Sequence, residues 1–250
     1  MVLESSRQAG ITRRDEIEIS TTDECKPVEN GAKILITASS DGVALVERAT
    51  GQVIFYGLAG GAHSAEMLPS GRIVVASSTS KRPLANSLVA FDVKQSGKPL
   101  FATPLASGHG VVWDESRQLL WVLAGQYLRS YKLIDWTSTH PSLRQFTVYP
   151  IPGKSGHDRQ PVPGTAFLSV TAMDHAWLFD RDKHAFQDHP DVGSQINVKS
   201  ITVNPQTKEI VWTRADEGFW WTDTLRFLNP ERTWQMKGER LYKARWIVAP

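Results

Sequence analysis

Gly61-Ala62-His63-Ser64-Ala65, Gly108-His109-Gly110-Val111, Gly156-His157-Asp158, Val198-Lys199-Ser200-Ile201 and Tyr242-Lys243-Ala244-Arg245 open five stretches of β-rich sequence. Their basic residues are separated by 109−63 = 46, 157−109 = 48, 199−157 = 42 and 243−199 = 44 positions. A period in the forties, with several strand-like runs in each unit, is the signature of a β-propeller blade. The spacing therefore predicts an all-β, five-bladed propeller. A sixth blade would need about 40 residues more than the repeat accounts for.

Each unit divides into four runs. The first reads His63–Pro69, Arg72–Ser77, Ser87–Val93 and Pro99–Leu105, with turn signals such as Pro69-Ser70-Gly71 between them. The second runs are rich in β-branched and aromatic residues, as in Ile73-Val74-Val75 and Ile210-Val211-Trp212, which favour strands. No stretch keeps a 3.6-residue apolar period. The fifth unit is expected to close the ring from both ends of the chain. Lys243–Val248 would supply its innermost strand, and Ile34–Ala38, Val43–Arg48 and Val53–Leu58 the other three, which leaves no unpaired inner edge. Residues 32–250 then form one domain, and residues 1–31 a tail or outer brace.

Composition narrows the partners. A net charge of +2 and no Lys/Arg run longer than two give no phosphate-binding stripe and predict no nucleic-acid partner. No segment approaches the roughly 20 apolar residues that span a bilayer, so no membrane partner is expected. Met1–Ser20 lacks the apolar core of a signal peptide, and one cysteine, Cys25, excludes an intramolecular disulfide. A cytoplasmic location is the expectation. Oligomeric state is not legible.

The first strand of a propeller blade lines the central channel, so a residue just before it stands near the channel mouth. His63, His109, His157, Lys199 and Lys243 (or Arg245) are therefore expected to converge on one axis. Three imidazoles suit a divalent ion (Zn, Mn, Fe or Ni) with positions left for water and substrate. Glu66 and Asp158 would complete the shell or act as base, while Lys199, Lys243 or Arg245 would neutralise developing negative charge. Arg159 follows Asp158 toward the channel, and Trp220 and Trp221 are candidates for stacking on a sugar. The bland alternative is a water-filled channel in which histidines satisfy backbone carbonyls and the tryptophans pack between blades. Trp113, Trp121, Trp212 and Trp246 are expected in the core. His140, His175, His184 and His189 are expected to face solvent.

The box His63-Ser64-Ala65-Glu66-Met67-Leu68-Pro69-Ser70-Gly71, with Gly108-His109-Gly110-Val111-Val112-Trp113-Asp114 further on, resembles a family of uncharacterised proteins with a propeller fold. That resemblance covers most of residues 32–250 and implies the fold without an activity. The architecture is also similar to propeller polysaccharide lyases, some of which hold a metal with axial histidines. The expectation is a metal-dependent enzyme of lyase, isomerase or hydrolase type. Its substrate would be a small polar molecule, anionic or carbohydrate-like. The alternative is a non-catalytic propeller that binds carbohydrate or protein.

Overall fold

The computed structural model describes residues 17–247 and contains five four-stranded antiparallel sheets, each ordered as the chain runs. Blade one is β1 (Thr22–Val28), β2 (Lys33–Ala38), β3 (Gly42–Glu47) and β4 (Val53–Leu58). Blade two is β5 (Ala62–Leu68), β6 (Arg72–Ser77), β7 (Ser87–Asp92) and β8 (Pro99–Pro104). Blade three is β9 (Gly108–Asp114), β10 (Leu119–Ala124), β11 (Tyr127–Ile134) and β12 (Ser142–Pro150). Blade four is β13 (Gly156–Pro161), β14 (Phe167–Ala172), β15 (Ala176–Asp180) and β16 (Ala185–Asp188). Blade five is β17 (Val198–Val203), β18 (Ile210–Arg214), β19 (Thr224–Leu228) and β20 (Arg232–Gln235). The inner strands β1, β5, β9, β13 and β17 pack in succession around the axis. The protein is a five-bladed β-propeller, and none of its described helices is long and apolar enough to cross a membrane.

Blades stack face to face, so a second strand is covered on both sides and reads as a continuous apolar run, as buried strands of covered sheets do. Leu120, Trp121, Val122 and Leu123 of β10 are all buried. Leu120 and Val122 pack toward blade two with Val74, Ala76 and Leu88. Trp121 and Leu123 pack toward blade four with Leu168, Val170 and Phe179. Matching clusters join blades one and two through Leu45, Phe55, Ile73 and Phe91, and blades four and five through Ala176, Val198, Ile201 and Trp212. Removing one such side chain leaves a cavity; Leu120→Ala should cost about 2–5 kcal/mol.

Closure differs from the sequence expectation. The innermost strand of blade one is Thr22–Val28, taken from the expected tail, and it pairs along β2 from Thr22↔Ala38 to Val28↔Lys33. Cys25 lies in this strand. Residues 1–16 of the expected tail, and Val248 of the expected closing strand, lie outside the described residues.

The C-terminal segment, residues 242–247, forms no ladder but lies along β17, held by side-chain hydroxyls. Thr213 Oγ1 donates to Tyr242 O (2.7 Å), Ser200 Oγ accepts from Ala244 N (3.0 Å), and Thr202 Oγ1 donates to Ala244 O (3.0 Å). From there Arg245 reaches Glu24 of β1. The segment is a strap that ties blade five to blade one.

Candidate functional site at the channel mouth

Each inner strand carries a register shift against its neighbour at the same place. The shifts lie between Thr22 and Glu24, Ala62 and Ser64, Gly108 and Gly110, Gly156 and Asp158, and Val198 and Ser200. The bulged residues are Asp23, His63, His109, His157 and Lys199. A β-bulge leaves its extra residue out of the ladder and re-aims its side chain. One bulge per blade therefore delivers five polar side chains to one end of the channel. Four of them carry the repeat that the sequence displays. Asp23 was missed because Thr22-Asp23-Glu24 carries an acid where the other openings carry His or Lys, in the stretch read as a tail. It lies 63−23 = 40 positions before His63, an interval that would have revealed it.

His63 Nδ1 donates to Gly61 O and His109 Nδ1 to Ser107 O, both at 2.9 Å. The rings stand 4.7 Å apart, edge to face, and each keeps its Nε2 lone pair. Burial lowers both pKa values to about 4, and the Lys243 ammonium adds to the effect. Both rings are therefore neutral acceptors at pH 7. His157 is engaged on both sides: Nδ1 donates to Val198 O (3.1 Å), and Nε2 accepts from Lys199 Nζ (3.0 Å). Burial, followed by the Lys199 charge, lowers its pKa to about 3. Burial also brings Lys199 down to about 8.

Asp23 is buried, and its Oδ2 has no hydrogen-bond partner. Burial pushes its carboxyl up to about 7, against the pull of the Lys243 charge. Two members of the ring thus change protonation within about a unit of neutrality, as groups that handle protons must.

Beneath the ring the channel is filled by ion pairs. Lys243 Nζ donates to His63 O (3.1 Å) and His109 O (2.9 Å) and stands 3.7 Å from Asp158 Oδ1. Arg245 binds Glu24 through Nε (2.8 Å) and Nη2, and Asp158 through Nη2 (2.8 Å). Glu24 also accepts from Ser64 Oγ (2.6 Å). Burial acts to raise the Glu24 pKa, but Lys26, Arg245 and Lys243 outweigh it and hold the carboxylate well below its ordinary range. Lys26 pairs with Glu66 (3.2 Å) and donates to Val111 O (2.7 Å).

These contacts sort the residues expected at the site. His63, His109, His157 and Lys199 form the mouth. Asp158, Lys243 and Arg245 lie in the channel, spent on one another, on Glu24 and on backbone carbonyls, and Glu66 is spent on Lys26. Arg159 is fully buried and donates to Trp121 O (3.1 Å), between blades three and four. Trp220 is 47 % exposed and packs edge-on against Tyr242 (5.8 Å), whose ring meets His63 at 6.4 Å. Trp221 packs instead on Phe219 (4.7 Å) and under Arg240. Among the core candidates, Trp121 and Trp212 are buried, whereas Trp113 and Trp246 are only half-buried. His189, expected on the surface, is buried. Among the described residues, no group of three or more His, Cys, Asp or Glu side chains is arranged to hold a metal ion.

No curated protein matches the chain. A family model covers both the ring and the C-terminal strap, over residues 14–250, and by it the chain belongs to a family of unknown function (DUF6528).

Proposed function

We propose that the channel mouth binds one small, polyhydroxylated ligand carrying a carboxylate, a sugar acid in chemical class, and moves a proton on it in a lyase or isomerase type of reaction. The observation that carries this reading is the ring of five bulged residues with two imidazole acceptors, one ammonium and one carboxyl with an unpartnered oxygen, Asp23 Oδ2. Neutral Nε2 atoms of His63 and His109 accept from sugar hydroxyls. Lys199 supplies positive charge for the ligand's carboxylate. Asp23, titrating near neutrality, is suited both to take and to return a proton. The Lys243 and Arg245 side chains, buried beneath the ring, form the floor of the site. The likeness to propeller polysaccharide lyases is one of architecture and does not carry the activity by itself.

A second reading retains the divalent ion, on the two free Nε2 atoms of His63 and His109 with water completing the shell. A third is a binding module without catalysis. Calorimetric titration of the purified protein with galacturonate, glucuronate and the corresponding neutral sugars, with and without EDTA, separates them. Uronate binding that survives EDTA and is lost in Lys199→Met supports the acid–base reading. Binding abolished by EDTA and restored by Zn²⁺ or Mn²⁺ supports the metal. Preference for neutral sugars, with no change in Lys199→Met, sinks the anionic reading. Binding without turnover of the uronate favours the binding module.

A further inference from the structure

We infer that the ligand at the mouth is the end of an oligosaccharide, and that Trp220 holds its second sugar ring. This rests on the sugar-acid reading of the site. Aromatic rings run in an unbroken series from the ring of bulges to the surface: His109 to His63, His63 to Tyr242, and Tyr242 to Trp220, at 4.7, 6.4 and 5.8 Å. Tyr242 is buried, while the indole at the end of the series is half exposed and Phe219 beside it is 57 % exposed.

The loop that carries Trp220 joins β18 to β19. The chain entering β17 arrives beside it, since Val198 pairs with Arg214. Trp220 and Lys199 therefore lie on the same face of the propeller. In blade three the corresponding connection is only residues 125–126, whereas in blade five it runs over residues 215–223.

That longer loop is braced. Asp216 N donates to Trp221 O (3.0 Å), Phe219 N to Asp216 O (3.0 Å), and Thr222 Oγ1 to Asp216 Oδ1 (3.1 Å). Thr222 and Leu241 exchange both backbone hydrogen bonds (3.0 and 2.7 Å). Arg240 lies over Trp221. A rigid platform keeps its indole in place before ligand arrives, which lowers the ordering cost of binding. An exposed flat ring continuous with polar acceptors and a single ammonium fits a chain of sugar rings ending in an acidic one. The indole packs on the Tyr242 ring, and that ring leads to the His63 imidazole, so the series ends inward at a polar acceptor that a sugar hydroxyl can use and an apolar peptide cannot.

The test is calorimetric titration of the full chain at pH 7 with galacturonate, its α-1,4-linked dimer and its trimer. The dimer should bind about tenfold more tightly than the monomer, as one added aromatic stacking contact allows. The trimer should gain little more. Trp220→Ala should abolish the gain and leave monomer affinity within about twofold, with an unchanged thermal midpoint. Dimer and monomer binding equally to the parent protein would overturn the inference and leave the sugar-acid site standing. An equal loss for both ligands in Trp220→Ala would also overturn it. If none of the three binds, the sugar-acid reading fails and this inference fails with it.

Discussion

Arg245 and Asp158 are joined at 2.8 Å, Nη2 to Oδ1, although one lies on the C-terminal strap and the other on the inner strand of blade four. The same guanidinium holds Glu24 of blade one. One side chain therefore bridges two blades that are not neighbours, and it does so inside the channel. Lys243 adds blades two and three through the carbonyls of His63 and His109.

Removing Arg245 would take from two buried carboxylates the guanidinium they share, the cation hydrogen-bonded to both. Breaking a buried ion pair from one side costs about 3–5 kcal/mol, which for a chain of this size is a fall of roughly 10 °C in Tm. Arg245→Ala should show that loss in thermal unfolding. Adding Glu24→Gln should recover part of it, because the double variant no longer buries a carboxylate that has lost its hydrogen-bonded cation. Additive losses would show that the two residues do not act together.

The ring makes acid stability predictable in sign. His63, His109 and His157 take up protons near the ordinary 6.5 when unfolded, but only at about 4, 4 and 3 when folded. Between pH 6.5 and 4 the unfolded chain therefore binds more protons, and stability falls as pH falls through that window. Asp23 opposes this. Its folded value of about 7 lies above the ordinary 3.8, so over the same window it favours the folded state as pH drops. Three groups against one give a net loss toward acid. In chemical denaturation at pH 4.5 and 6.5, the parent should lose more stability than the variant His63→Gln/His109→Gln. Equal losses would remove the imidazoles as the cause.

The fold was legible because the blade repeat is written locally. A bulge at each inner strand asks for small residues beside it, and Gly108-His109-Gly110 and Gly156-His157 advertise it. Gly108 shows why, since a Cβ there would come within 2.7 Å of Ser77 O. The closing blade was misread because Lys243 falls 44 positions after Lys199, in register with the repeat. Its segment nevertheless bonds through Ser200, Thr202 and Thr213 hydroxyls and forms no ladder. Lys243, Arg245 and Asp158 were expected near the axis, but their pairing with one another and with Glu24 was not legible. Arg245 and Glu24 lie 221 positions apart, and no local pattern announces a pair made only when the ring closes.

Gly110 tests how tightly that interior is filled. A Cβ at this position would overlap the Arg159 guanidinium, which is fully buried and anchored on Trp121 O. Gly110→Ala should therefore destabilise by about 1–3 kcal/mol, the usual cost of overpacking. The double variant Gly110→Ala/Arg159→Met should recover part of the loss. If Gly110→Ala alone is neutral in chemical denaturation, the blades have more room to shift than this contact implies.

Lys199 should set the alkaline limit of binding at the mouth. Its ammonium titrates at about 8 because burial disfavours the charge, and it rests on His157 Nε2, a neutral acceptor. A carboxylate ligand needs that charge, so affinity for galacturonate should hold below pH 7 and fall above 8, approaching tenfold for each further unit. Asp23 acts in the same direction from about pH 7, since its ionisation places a negative charge in the ring. Lys199→Arg keeps its charge well above pH 9 and should move the fall upward. Lys199→Met should bind weakly at every pH and keep only the shallower alkaline fall that Asp23 supplies from about pH 7. Calorimetry at pH 6, 8 and 9 reads all three. An alkaline fall that persists unchanged in Lys199→Met would assign it to Asp23 alone and remove Lys199 as the anion-binding group.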